Sequence, residues 1–180
     1  MEDVFKKNGT HGSFTWANIG DIKLGRGNLG EEMPVLVYRL MQFTTFDILT
    51  REFGRDKANE ILREAGNLAG KEFARNTMDL KVDMNTFIAN LQNSLKDLKI
   101  GILRIETIDD EAQEIVLTVA EDLDCSGLPI SNETVCDYDE GFIAGLLKEY
   151  TGKVYSVREI DCWANGDRVC RFKCVVAGKE

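Results

Sequence analysis

The sequence predicts an α+β domain in which a largely antiparallel sheet is packed with helices. Three observations lead there. Apolar residues recur at helical spacing between residues 35 and 98. The period then changes to runs of branched residues typical of strands. An Asn165-Gly166 dipeptide, the strongest short hairpin signal, separates the last two such runs.

Residues 1–33 are the least regular stretch, with Gly9, Gly12, Gly20, Gly25, Gly27 and Gly30 between short apolar clusters at 14–16 and 19–24. They read as an N-terminal arm with one or two short strands, ahead of a single domain over 34–180. Pro34 suits the first position of a helix over 35–53, because its missing N–H costs nothing there. That helix ends near Gly54. Ala58, Ile61, Leu62, Ala65, Leu68, Ala69 and Phe73 mark one face of a second helix. Asp83 caps a third, in which Met84, Phe87, Ile88, Leu91, Leu95 and Leu98 repeat the spacing. Strands follow at 102–108 and 114–120, joined by the solvated turn Asp109-Asp110-Glu111. A loop over 122–133 carries Cys125, Gly127 and Pro129. A helix over 138–150 stops at Thr151-Gly152. The final strands, 154–162 and 168–176, form a C-terminal hairpin. A sheet of four or five strands is expected, over a core of Ile61, Leu62, Leu68, Phe73, Phe87, Leu91, Leu95, Phe142, Ile143 and Leu146.

Composition narrows the function. The chain has 180 residues, 43% hydrophobic and 29% charged, which suits a folded domain of ordinary size. Its 22 basic residues against 31 acidic ones leave a net charge of −9, so nucleic acid is excluded as the main partner. No apolar run reaches membrane-spanning length. The N-terminus lacks the apolar region of a signal peptide, and the chain is expected to be cytoplasmic. Gly25-x-Gly27-x-x-Gly30 matches a dinucleotide fingerprint in letters only, since no βαβ unit contains it. His11 has no partner with which to build a nucleophilic site, and no flavin or nicotinamide motif is visible. Gly141 and Gly145, four apart on one helix, read as a face for close packing against the sheet or a neighbouring subunit.

The five cysteines all lie between Cys125 and Cys174. A three-residue loop at 165–167 would set Cys162 and Cys170 opposite each other, with Cβ atoms about 4.5–5.5 Å apart. Cys136 precedes a helix N-terminus, whose dipole favours a thiolate. Cys174 lies four residues along the strand from Cys170, about 13 Å, too far to share an ion. The course of the loop leaves Cys125 unplaced. From the residues alone, three readings stand: metal ligands, small buried apolar residues, or a cross-strand disulfide that a reducing cytosol opposes.

Cys136, Asp139-Glu140-Gly141-Phe142, Gly145, Thr151-Gly152, Glu159, Cys162, Gly166-Asp167 and Cys170-Arg171-Phe172 together resemble the 4-vinyl-reductase (V4R) domain family. The resemblance, strongest over 124–176, is to the archaeal hydrocarbon-binding type. That type is related to the sensory domains of bacterial activators that detect phenol-like aromatics and, more distantly, to the Bet3-type subunits of vesicle-tethering complexes. It implies one structural Zn²⁺ held by Cys136, Glu159, Cys162 and Cys170, with Cys162 three residues after Glu159 and Cys170 eight after Cys162. Arg158, Arg168 and Arg171 are the candidates to offset its charge. Glu159 and Cys162 lie an odd number of residues apart, so reaching one ion requires a bulge or strand end at Ile160-Asp161. The His and Trp with which the aromatic sensors hold phenol have no counterpart, so phenol recognition does not carry over.

The expected function is binding of an apolar, hydrocarbon-like small molecule between helices and sheet, lined by Phe87, Leu91, Phe142 and Leu146. Two other classes remain: a reductase acting on a vinyl-bearing tetrapyrrole, against which the missing cofactor motif weighs, and a Bet3-like assembly module. A homodimer is expected, because the arm and the 35–53 helix expose apolar residues that so small a core does not absorb.

Overall fold

The computed structural model describes residues 14–178 in two compact units, residues up to Glu31 and residues from Glu32 onward. His11, Gly9 and Gly12 lie outside the described residues. In the first unit the expected strands are absent among the described residues. A 3₁₀ turn, Trp16–Ile19, and a single helical turn, α1 (Ile22–Gly25), stand there instead. Local capping explains this: the Thr15 N–H donates to Asn18 Oδ1 at 2.7 Å, and the Leu24 N–H to Asp21 Oδ1 at 2.9 Å.

The second unit holds α2 (Val35–Phe53), α3 (Arg55–Thr77), α4 (Met84–Asp97), β1 (Ile102–Asp109), β2 (Glu114–Ala120), α5 (Asp137–Thr151), β3 (Tyr155–Asp161) and β4 (Cys170–Val176). The four strands form one antiparallel sheet in the order β1-β2-β4-β3, as the α+β reading requires. Asp83 caps α4 by accepting from the Asn85 and Thr86 N–H groups. The register of β3 against β4 shifts between Glu159 and Asp161, and β3 ends there. The bulge demanded by the spacing of Glu159 and Cys162 is present.

The core lies between the sheet and α4 and α5. Phe73, Phe87, Leu91, Leu95 and Leu146 are buried in it, with Phe142 and Ile143 packed against its edge. The Phe87 ring stacks on Tyr150 with centroids 3.8 Å apart, and the Tyr150 hydroxyl donates to the Val82 carbonyl, locking α4 to α5.

The apolar stripe of α3 needs correction. Ile61 and Leu62 are only half-buried, and Leu68 is 39% exposed. The buried face of α3 is the small one, with Ala58, Gly66, Gly70 and Ala74. It meets Gly141 and Gly145 of α5 so closely that a Cβ on Gly66 would stand 2.0 Å from the Tyr138 carbonyl oxygen, and one on Gly141 2.0 Å from that of Arg63. Hydrophobicity does not register such a face, because what it supplies is the absence of side chain.

This contact sets the sign of a substitution. Gly→Ala in an open helix stabilises by about 1 kcal/mol. Gly66→Ala should instead destabilise by about 1–3 kcal/mol, the usual cost of overpacking. The urea midpoint measures it, and a rise would mean that the helices do not touch there.

Candidate metal centre and apolar cavity

Four buried thiols converge from four separate segments: Cys125 in the β2–α5 connection, Cys136 at the N-cap of α5, Cys162 just past β3, and Cys170 at the start of β4. Their Sγ atoms all lie within 4.8 Å of one another. Cys136 and Cys170 are 3.8 Å apart, and Cys125 and Cys170 3.0 Å. Ligands about 2.3 Å from a tetrahedral zinc stand roughly 3.8 Å from each other, so the set has metal-site dimensions. Donation from Cys125 first, then Cys136 and Cys170, holds Cys162 far below the ordinary thiol value. The same network, led by Cys125, holds Cys136 and Cys170 above it. Cys174 stands outside the set, facing Ile115 and Val157, and burial pushes it up to about 12.

The loop that carries Cys125 is closed by local and distant bonds. Asp122 Oδ1 accepts from the Asp124 N–H at 2.8 Å and from the Cys125 N–H at 3.3 Å, a side-chain turn that points the chain inward. From α2, Arg39 donates to the carbonyls of Leu123 and Ser126, and Tyr38 to Asp124 Oδ1 at 2.7 Å. The Trp163 indole donates to the Leu128 carbonyl. Only the Asp122 bonds are local; the loop is held in place by Arg39, Tyr38 and Trp163, which is why Cys125 escaped the sequence. The Asn165-Gly166 signal also resolves differently. A 3₁₀ turn, Trp163–Asn165, precedes Gly166 at φ +98°, and Asp167 Oδ2 accepts from the Cys162 N–H.

Glu159 lies beside the thiols. Its Oε2 accepts from the Cys136 N–H at 3.2 Å, its Oε1 is buried without a partner, and burial pushes it up to about 8. Asp139 stands within electrostatic reach of Glu159 and of Asp122 and Asp124. Burial raises all three aspartates, Asp122 to about 7. Asp122, Cys136 and Asp139 have potential ligand atoms within 4.8 Å of one another. The expected counter-charges look elsewhere: Arg158 pairs with Glu140, and Arg171 with Glu106 and Asp161.

Phe87, Leu91, Phe142 and Leu146 share the wall of an apolar cavity of about 60 Å³ between α4, the sheet and α5. Ile105, Ile115, Leu117 and Val119 supply its sheet side, and Asp139 is the one polar residue on it.

Fold and site define a class: an α+β domain with a buried thiol centre beside an apolar cavity. Residues 115–176 match the family model of the V4R domain, so the resemblance read from the motif holds over that stretch. An uncharacterized protein of Methanocaldococcus jannaschii is 29% identical over 145 residues, covering 81% of this chain and 79% of its own. A second from the same organism is 27% identical, covering 61% of this chain and 62% of its own, so the chain spans under two thirds of that relative. Among solved structures, a vinyl-4-reductase family protein from Methanocaldococcus jannaschii superposes with a TM-score of 0.61 at 18% identity, over 92% of this chain and 99% of that one. The phenol-responsive sensory domain of the transcription activator PoxR gives 0.61 at 15%, over 82% and 76%. A trafficking protein particle complex subunit 3 from Naegleria fowleri, covalently bound to palmitic acid, gives 0.56 at 13%, over 81% and 97%. These likenesses establish the fold.

Arg39 offers a test of how the thiol centre is held. Arg39→Ala removes two bonds from a charged donor, each worth about 1.5–3 kcal/mol. Faster amide exchange confined to residues 122–128 is the expected result. Unchanged protection would mean that the loop holds itself.

Proposed function

We propose that this chain is a small-molecule-binding domain that takes an apolar ligand in the cavity between α4, the sheet and α5 and is held together by one structural zinc ion. The observation that carries the reading is the juxtaposition of that cavity with four thiols at metal-site spacing. The fold shared with the phenol-responsive domain of PoxR supports it. Burial of apolar surface would supply most of the binding free energy, at about 25 cal/mol per Å². Occupancy by anything larger than a few atoms would widen the slot, since a cavity that holds benzene measures about 150 Å³.

For the metal we favour Cys125, Cys136, Cys162 and Cys170 over the set with Glu159. A sulfur from Cys125 already stands where the fourth ligand belongs, while Glu159 bonds the Cys136 backbone. The residues fit the ion chemically, because four buried thiols beside buried carboxyls favour a divalent cation. Four thiolates fill a tetrahedral zinc and leave no position for activated water, so the ion would bind segments together rather than catalyse. Five thiols free of disulfides fit a reducing compartment, the cytoplasm.

We also place a second copy of the chain on α2. No residue of α2 is buried, Leu36, Val37, Leu40, Met41 and Phe53 are exposed, and its two arginines balance its two acids. In a chain of net charge −9, that helix is a neutral face on which two copies can meet without repulsion.

Metal analysis of protein purified without chelator should find one zinc per chain. Cys125→Ser should lose it and lower the melting temperature, while Glu159→Gln and Cys174→Ser retain it. Loss with Glu159→Gln but not with Cys125→Ser would restore the carboxylate set, and wild-type protein free of zinc would remove the metal. Native mass spectrometry of the same protein should show a dimer carrying an apolar molecule. A retained tetrapyrrole would point to a reductase, and an empty oligomer to an assembly module.

A further inference from the structure

Asp139 is the one cavity-lining residue without an explanation. Sixteen of the seventeen side chains on the wall are aliphatic, aromatic or thioether, and Asp139 alone is polar. Its carboxyl is buried and its Oδ2 has no hydrogen-bond partner among the described residues. An apolar occupant would leave that oxygen unsatisfied, which protein interiors rarely tolerate.

The register of the sheet locates Asp139 in the cavity. Ile115, Leu117 and Val119 are successive inward positions of β2, so the slot runs along that strand for about 13 Å. Ile108, paired with Ile115 and 43% exposed, marks the end that reaches the surface. Asp139 has a carboxylate oxygen within 4.8 Å of Asp122, two residues past the other end of β2. A slot of this length and a volume of only about 60 Å³ is narrow. It favours a slender chain over a broad ring system. Asp122 presents a second carboxyl oxygen within 4.8 Å of one of Asp139, and no lysine or arginine lines the slot. Two carboxyls with no cation beside them leave a carboxylate or phosphate head unpaired, whereas a hydroxyl or an ammonium finds an acceptor.

We propose that the ligand is an amphiphile, a slender unbranched alkyl chain ending in one hydrogen-bond donor, and that Asp139 receives the donor at the inner end of the slot. This rests on the reading of the cavity as the ligand site and names the ligand's chemistry. The donor is a hydroxyl or an amine, and Asp139 is a binding residue with no role in a reaction.

Four probes of one chain length separate the outcomes: hexane, 1-hexanol, hexylamine and hexanoate, each titrated by calorimetry into the full chain in its as-purified metal state. A purely apolar slot prefers hexane, because the alcohol loses its water bonds and regains nothing. A slot with a waiting acceptor should bind 1-hexanol or hexylamine at least tenfold tighter than hexane and hexanoate more weakly than hexane. The stronger of the two donor probes identifies the head. Asp139→Leu should reduce the preference for the alcohol over hexane to onefold or below, with hexane affinity kept or improved. If that variant does not fold by circular dichroism, Asp139→Asn serves. It keeps an acceptor, adds an N–H donor and should bring hexanoate binding up to the level of hexane or above. Hexane bound as tightly as both donor probes by wild-type protein would overturn the proposal and leave the apolar site standing. Binding of none of the four would remove the site and the proposal together. An alcohol preference unchanged in the folded variant would place the acceptor elsewhere.

Discussion

The backbone contact between α3 and α5 governs where everything else can be. A Cβ at Gly66, Gly70, Gly141 or Gly145 would fall 2.0–2.2 Å from a carbonyl oxygen of the opposite helix. Each glycine inside a helix costs about 0.5–1 kcal/mol relative to alanine. Four of them, spaced i, i+4 on both partners, persist because the close approach returns more than that through dispersion along the whole face. With α5 seated this deeply, its N-cap delivers Cys136 to the thiols, its first turn delivers Asp139 and Glu140, and its inner face delivers Phe142 and Leu146 to the cavity.

Two acids one residue apart on that first turn meet opposite environments. Glu140 is buried but satisfied: Arg63 and Arg158 donate to Oε2, and the Glu159 N–H donates to Oε1 at 2.9 Å. Removing one member of such a buried set typically costs 3–5 kcal/mol. The last bond also pins β3 next to its bulge, so Glu140 holds the strand end from which Cys162 leaves the sheet. Asp139 has no such partners and points its chemistry toward the thiols and the cavity. A single peptide bond thus separates a fully paired carboxyl from one whose Oδ2 has no hydrogen-bond partner among the described residues.

What the sequence revealed followed from period and parity. Helices α2 to α5 and all four strands appear where spacing put them, because apolar periodicity reports a buried face directly. The bulge at Ile160 followed from the odd spacing of Glu159 and Cys162, an argument that needs only the pleat of a strand. The four cavity residues named from helical spacing share one wall because α4 and α5 both turn their apolar stripes to the sheet. What stayed hidden depends on contacts far along the chain. Cys125 is placed by Arg39 and Tyr38, 84 to 87 residues from their partners, and no local pattern carries that. The glycine faces of α3 and α5 have no hydrophobic signal, so Leu68 was drawn inward when glycine and alanine occupy its place. Asn165-Gly166 marks a turn correctly in position, but the bonds to Cys162 shape it into a 3₁₀ turn instead of the three-residue loop expected at 165–167.

The two sides of α2 connect the surface to the thiol centre. The β2–α5 connection spans residues 121–136, longer than most ordered loops without secondary structure. Such a stretch stays fixed only where side chains satisfy its backbone, and Arg39 supplies two such bonds while the Tyr38 hydroxyl donates to the Asp124 side chain. Both residues sit on α2, where Leu36, Val37, Leu40 and Met41 are exposed and Phe46 and Leu49 only half-buried. The rigidity of Cys125 therefore rests on the rigidity of a helix that the core does not bury. An apolar helix with no buried residue gains little from the fold and is stabilised chiefly by whatever covers it. Covering α2 would steady the loop that holds Cys125, and the thiol centre would steady the same loop from within. Pairing at the surface and order at the centre are thereby linked through one helix, with three hydrogen bonds as the physical connection.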